Sequence, residues 1–115
     1  MKQTLILFNQ EFISASNRTP QYLEFHRTFK REFTKALSLV GCTNVDIGKA
    51  NHFDVSGFFT APNGQIWYFS ISDLRWSKEK MLIRTAKHYK DWTGGSNQYV
   101  KIDADLITGI TKIIS

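Results

Sequence analysis

The sequence contains a single cysteine, Cys42, and no apolar run of the length that a membrane span needs. One cysteine cannot form a disulfide within the chain, and this favours a reducing compartment. The largely apolar run near the N-terminus, residues 4–8, is too short for the hydrophobic core and cleavage site of a signal peptide. It is also far shorter than a transmembrane helix. These absences predict a cytoplasmic protein.

Metal-ligand pairs and phosphate-loop motifs are missing as well. The histidines His26, His52 and His88 and the thiol of Cys42 never occur at the short paired spacings of zinc sites. The Gly-x-x-x-x-Gly-Lys spacing of a phosphate-binding loop is also absent. No internal repeat, low-complexity tract or linker divides the chain. We therefore expect one domain over residues 1–115, with no metal and no cofactor and with a hydrophobic core of its own.

The clearest periodic pattern lies in residues 20–40, where apolar side chains recur at steps of three and four and predict an amphipathic helix. Thr19 and Pro20 are a typical helix start, and Gly41 is a typical helix end. A second helix is predicted over about residues 104–114. Its apolar face consists of Leu106, Ile107, Ile110, Ile113 and Ile114.

Four further segments are rich in aromatic and β-branched residues and predict strands. Residues 52–60 and 65–72 flank an Asn-Gly pair, which predicts a hairpin. The second segment alternates apolar and more polar side chains, so one of its faces should pack. Residues 81–86 and 98–102 predict two more strands.

The predicted fold class is therefore α+β. We expect an antiparallel sheet of about four strands, with a helix at about 20–40 and a C-terminal helix at about 104–114 packed on one face. Periodicity does not decide whether residues 3–8 form a strand or a helix.

Positive charge is concentrated in one segment. Residues 74–101 hold seven Lys and Arg against two Asp and Glu, which is +5 and equals the net charge of the chain. A focused basic patch attracts polyanions or acidic protein surfaces, and the alternative is a solvated surface that maintains solubility.

Within this segment, residues 84–97 combine cations, aromatic rings and glycines, a mixture that suits a polyanion with bases that can stack. The predicted partner is a nucleic acid or a nucleic-acid–protein complex. The alternative is a wide hairpin loop in which Trp92 and Tyr99 pack on the core. The residues predicted to contact phosphates are Arg84, Lys87, His88 and Lys90; those predicted to stack or anchor are Tyr89 and Trp92; those offering backbone N–H groups and short polar side chains are Gly94, Gly95, Ser96 and Asn97.

The predicted first helix carries a second set of cations, Arg27, Arg31 and Lys35, at successive steps of four. Like charges at this spacing repel one another, and an anionic partner would relieve the repulsion. These residues would extend the binding surface if the helix lies on the same side as the loop. The alternative is a solvated helix face.

Two other classes of function are open. In a pure protein–protein inhibitor, Trp92 and Tyr89 would be the anchors and the lysines would steer association. In a metal-dependent nuclease, Asp54 and Asp73 would hold the ion. However, the residue two positions after Asp73 is Arg75, which cannot take the proton role that lysine has in restriction-type sites. We therefore expect a binding protein rather than an enzyme.

The stretch LIRTAKHYKDWTGGSNQYV, residues 82–100, resembles a segment of small uncharacterised proteins encoded by phages and mobile elements. Small proteins of such elements often include inhibitors of host defence, among them anti-CRISPR proteins. The resemblance implies an inhibitor of a CRISPR effector, whose basic loop meets guide RNA, competes with target nucleic acid or contacts an acidic face of the effector. It implies no fold, because such inhibitors share none.

Overall fold

A computed structural model of the chain describes residues 3–5, 19–49, 54–72, 74 and 79–115. Within these residues, five strands form one antiparallel sheet in which each strand lies beside the next in the chain. This confirms the α+β class, with five strands instead of about four. The elements are α1 (Pro20–Leu39), β1 (Thr43–Ile47), β2 (Val55–Thr60), β3 (Ile66–Ile71), β4 (Lys80–Ala86), β5 (Gln98–Lys101) and α2 (Leu106–Ile114).

Helix α1 begins and ends where the sequence predicts. The Thr19 hydroxyl accepts a hydrogen bond from the Tyr22 backbone N–H at 3.2 Å, and Pro20 occupies the first turn. At the other end, Gly41 has a φ of 89°. A left-handed residue at this point lets the Cys42 N–H reach back to the Leu37 carbonyl at 3.0 Å, which closes the helix.

The apolar stripe of α1 packs on the sheet. Phe29 and Phe33 are fully buried, and their ring centroids lie 4.8 Å apart. Phe33 meets Phe69 of β3 edge to face at 5.0 Å. Such aromatic pairs contribute about 0.5–1.5 kcal/mol beyond the burial of their area. This contact fixes which face of the sheet becomes the core.

The hairpin between β2 and β3 confirms the turn prediction. The Ala61 N–H donates to the Gln65 carbonyl at 2.8 Å, and Gly64 adopts a φ of 89°. In β3, Trp67 and Phe69 are buried, whereas Tyr68 between them is only partly covered. The alternation in the sequence therefore separates the two faces of the sheet.

Strand β1 is the element that the sequence did not reveal. It lies at the edge and pairs with β2, and its register shifts between Thr43 and Asp46. Asn44, inside the shift, has a φ of 52°. Asn and Asp are rare in strands, and a bulge interrupts the alternation on which a strand prediction rests. Pairing with β2, rather than a local preference, makes this segment a strand.

The C-terminal helix packs on the same face of the sheet as α1. Leu106, Ile110 and Ile114 are buried and belong to the same core as Phe33 and Phe69. This confirms the second predicted helix and its apolar face. Within the described part of the chain, no helix combines the length and the apolar character that crossing a membrane requires.

Residues 3–5 are helical and lie outside the sheet. The N–H and the hydroxyl of Thr4 donate to Glu32 Oε1 at 2.7 and 2.5 Å, which ties this segment to α1. The rest of the 3–8 run lies outside the described residues.

Replacing Phe33 by alanine should lower the free energy of unfolding by about 3–5 kcal/mol, because the change leaves a cavity between α1 and the sheet. Urea denaturation measures the effect. Lys30→Ala, at an exposed site of the same helix, is the control and should change the free energy by less than about 0.5 kcal/mol. A loss well under about 1 kcal/mol in Phe33→Ala would contradict the packing of α1.

Candidate nucleic-acid interface

We call the face of the sheet opposite the helices the open face. Phe58 pairs with Tyr68, and Tyr68 pairs with Arg84. Directly opposed residues of antiparallel strands project from the same face, so these three side chains form one row across β2, β3 and β4. Neither α1 nor α2 packs on this row, because both bury their apolar stripes on the other face.

An aromatic cluster stands on the open face and consists of Phe58, Tyr68, Tyr89 and Trp92. Trp92 meets Phe58 edge to face at 5.3 Å and Tyr68 at 5.9 Å. Tyr89 lies 5.7 Å from Phe58. Phe58 is only 2% exposed beneath its neighbours, whereas Trp92 is 59% exposed. The alternative of a wide hairpin loop is right about the connection, since β4 and β5 pair antiparallel around residues 87–97. It is wrong about the packing of Trp92 and Tyr99 on the core, because both rings are exposed and Trp92 rests on the open face.

Arg84 positions the loop rather than projecting freely. Its guanidinium lies 4.5 Å from the centroid of the Tyr68 ring, a cation–π contact. Its Nη2 donates to the Trp92 backbone carbonyl at 2.5 Å. Arg84 thus joins Tyr68 to the backbone of Trp92 and holds the exposed indole in place.

Tyr89 is also held by the sheet. Its hydroxyl donates to the Asn44 carbonyl of β1 and lies 3.0 Å from the Thr60 hydroxyl of β2. A partner would meet only part of the Tyr89 side chain, since its ring rests on Phe58 and its hydroxyl is bonded to the edge of the sheet. Tyr89 therefore supports the cluster instead of projecting from it.

Asp91 organises the β4–β5 loop, residues 87–97. Its carboxylate accepts hydrogen bonds from the Lys87 N–H at 2.9 Å and from the Thr93 N–H and hydroxyl at 3.1 Å each. These donors, the Lys87 N–H first, hold the pKa of Asp91 below its usual value, because they stabilise the charged form. The ionised carboxylate fixes the turn that carries Trp92.

The two glycines of the loop allow close approach to β4. A Cβ on Gly94 would lie 2.1 Å from the Thr85 carbonyl oxygen, and the Gly95 N–H donates to that oxygen at 2.9 Å. The close approach that these glycines permit is therefore used for the contact between the loop and β4, rather than for a ligand. The N–H groups of Lys87, Thr93 and Gly95 have partners within the chain and are therefore not available to a ligand.

Three predicted cations of the loop, Lys87, His88 and Lys90, are exposed. Within the described residues, neither lysine forms an ion pair. The His88 ring nitrogen Nδ1 lies 2.8 Å from the Tyr89 carbonyl. Ser96 and Asn97 are exposed where the loop enters β5. The loop therefore carries exposed positive charge together with the exposed indole of Trp92.

Three further residues of the open face were not among the predicted contacts. Lys80 pairs directly with Lys101, and Leu82 pairs with Tyr99. Lys80, Lys101 and Tyr99 are exposed, and the Tyr99 side chain is 58% exposed. Alternation places Lys80 on one face with Arg84 along β4, and Tyr99 on one face with Lys101 along β5. This alternation was the signal in the sequence that could have found the three residues.

The basic residues of α1 are not brought together with the loop. Arg27, Arg31 and Lys35 are exposed on a helix that packs on the core face, and Arg27 is paired with Glu24. The aromatic cluster stands on the opposite face. These cations belong to a separate surface.

Within the described residues, no group of three His, Cys, Asp or Glu side chains could hold a metal ion. Asp54 lies just before β2, whereas Asp73 and Arg75 lie outside the described residues. The nuclease interpretation stays a prediction.

Comparisons with protein-family models, with curated proteins and with solved structures found no match.

Replacing Asp91 by asparagine should destabilise the loop at neutral pH, because the charged acceptor for Lys87 and Thr93 is removed. The folded-state pKa of Asp91 is lowered, so its contribution to stability is present above the unfolded-state value and is lost as the pH falls through the folded-state value. The difference in unfolding free energy between the wild type and Asp91→Asn should therefore shrink below about pH 4.

Denaturant titrations from neutral to acidic pH measure this difference, and amide exchange at Lys87 and Thr93 localises it. Asp105→Asn is the matched control, since the Asp105 side chain makes no cap hydrogen bond to α2. Equal pH dependence in the two variants would show that Asp91 does not hold the loop.

Proposed function

We propose that this protein binds a nucleic acid, free or within a nucleic-acid–protein complex, through Trp92 and the cations of the β4–β5 loop. One observation carries the proposal. Trp92 is 59% exposed on a fixed aromatic base, and the exposed Lys87 and Lys90 belong to the same loop. An exposed indole in the same loop as exposed cations suits a polyanion whose bases can stack.

The fixed position of the indole supports a binding role. Its ring is held by Phe58 and Tyr68, and its backbone by Arg84. Binding by a side chain that is already ordered does not incur the conformational entropy that a mobile side chain would lose. The cluster therefore presents a ready surface.

The proposed role is binding without catalysis, and the proposed location is the cytoplasm, which agrees with the single buried and unpaired thiol of Cys42. The resemblance of residues 82–100 to phage and mobile-element proteins extends the proposal to inhibition of a CRISPR effector, by contact with its guide or target nucleic acid.

A second candidate is a protein–protein inhibitor with no nucleic-acid contact. The exposure of Trp92 and Tyr99 favours it, because Trp and Tyr are enriched among the residues that dominate protein interfaces. In that case Lys87 and Lys90 would act mainly on the association rate.

The double variant Lys87→Glu/Lys90→Glu should weaken binding to labelled single-stranded RNA, single-stranded DNA or duplex DNA and should make the salt dependence shallower. The slope of log K against log salt should fall by about 0.7–0.9 for each phosphate that the variant no longer neutralises. Trp92→Ala should weaken binding to single strands by roughly 5- to 150-fold. Fluorescence anisotropy across a salt series measures both effects.

Lys30→Glu/Lys112→Glu is the control, since it changes the net charge equally at two exposed helix positions. An equal reduction of affinity in both double variants would show that the loop lysines contribute only nonspecific electrostatic attraction. If the wild type binds none of the three nucleic acids at low salt, the proposal is wrong and a protein partner takes its place.

A further inference from the structure

The pairing of Lys80 with Lys101 places two positive charges directly opposite each other on β4 and β5. Like charges at opposed positions of an antiparallel pair are destabilising. Both side chains are exposed, and within the described residues neither forms an ion pair. An anion bound between the two side chains would relieve their repulsion.

Tyr99 lies two residues before Lys101 on β5, so both side chains project from the open face. Within the described part of the chain, no aromatic ring contacts the Tyr99 ring, in contrast to Trp92, which rests on Phe58 and Tyr68. At 58% exposure, the Tyr99 ring presents an uncovered surface. A second exposed ring therefore lies beside the lysine pair.

Cations and rings alternate across this half of the open face. From one end to the other lie the Lys80–Lys101 pair, Tyr99, Arg84 on the neighbouring strand, and Trp92 with the loop lysines. Lys80 and Arg84 are four residues apart on β4, which is about 13–14 Å along a strand. Asp46, the acidic residue of the Phe58 row, lies on β1 at the far side of the sheet. The charge distribution favours an anionic chain along β4 and β5 and disfavours one along β1.

The exposed rings restrict the partner further. In a duplex, each base is covered on both faces by its neighbours, so a protein meets phosphates and base edges. Stacking on Tyr99 and Trp92 requires bases whose faces are free, as they are in a single strand. A duplex would use the lysines alone.

We infer that a single-stranded nucleic acid lies across β4 and β5, with a phosphate between Lys80 and Lys101, one base on Tyr99 and a further base on Trp92. This inference rests on the proposed nucleic-acid binding and adds the form of the ligand and its path. The phosphate and the base are common to RNA and DNA, so the same contacts serve both.

The test compares oligonucleotides of about eight nucleotides, within the range of single-strand site sizes, as RNA and as DNA, with a duplex of the same sequence. Wild-type protein should bind the single strands more tightly than the duplex. Tyr99→Ala should weaken single-strand binding by roughly 5- to 150-fold and leave duplex binding unchanged. Tyr99→Phe should retain the affinity, because the ring and not the hydroxyl stacks.

Lys80→Gln/Lys101→Gln should lower the single-strand salt slope by about 0.7, the value for one phosphate contact. Lys30→Gln/Lys112→Gln, which removes the same charge from the two helices, should leave the slope unchanged. Circular dichroism of every variant confirms that the fold is retained.

If Tyr99→Ala and Lys80→Gln/Lys101→Gln bind single strands like the wild type while Trp92→Ala does not, the path across β4 and β5 is overturned and loop binding stands. Equal wild-type affinity for single strand and duplex also overturns the inference. Absence of any nucleic-acid binding overturns the proposed function itself, which is a separate result.

Discussion

The structure depends on the alternation of side chains along antiparallel strands, combined with the packing of α1 and α2 on one face of the sheet. Phe29 and Phe33 of α1 meet Phe69 of β3 on this face, and the isoleucines of α2 join the same core. Since both helices lie on one side, every second residue of the strands is left on the other. The open face is therefore a direct consequence of where the core is.

On the open face, some residues support the aromatic cluster, and others are accessible to a ligand. Phe58, Tyr68 and Tyr89 are covered by one another or bonded to the sheet, and Arg84 uses its guanidinium within the chain. Trp92 stands on this base, and the charge around it comes from exposed lysines. Arg84, a predicted phosphate contact, thus fixes an aromatic side chain within the chain, whereas exposed lysines are accessible to a ligand.

Local signals in the sequence were sufficient for much of the fold. The stripe of α1, its start at Thr19, the Asn-Gly hairpin and the face of α2 depend on residues within a few positions of one another, and the structure has them all. Strand β1 escaped prediction because its register shift and its Asn and Asp residues remove the local pattern, and its conformation depends on pairing with β2.

The candidate site was predictable in its residues but not in its arrangement. The mixture of cations and rings in residues 84–97 was visible in the sequence. The contact of Trp92 with Phe58, which lies 34 positions earlier, was not, because it depends on the pairing of β2, β3 and β4. The pairing of β4 with β5 brings Lys80 opposite Lys101. The packing of α1 on the core face separates its basic residues from the loop.

The hydrogen bond from Tyr89 to the Asn44 carbonyl spans 45 positions of the chain and joins the β4–β5 loop to the opposite edge of the sheet. The β4–β5 hairpin is a local connection, but this bond also requires that β1 is paired with β2 in its shifted register. The final orientation of the aromatic cluster is therefore a product of the completed sheet. The pairing of the edge strand and the orientation of the aromatic cluster therefore stabilise each other in the folded protein.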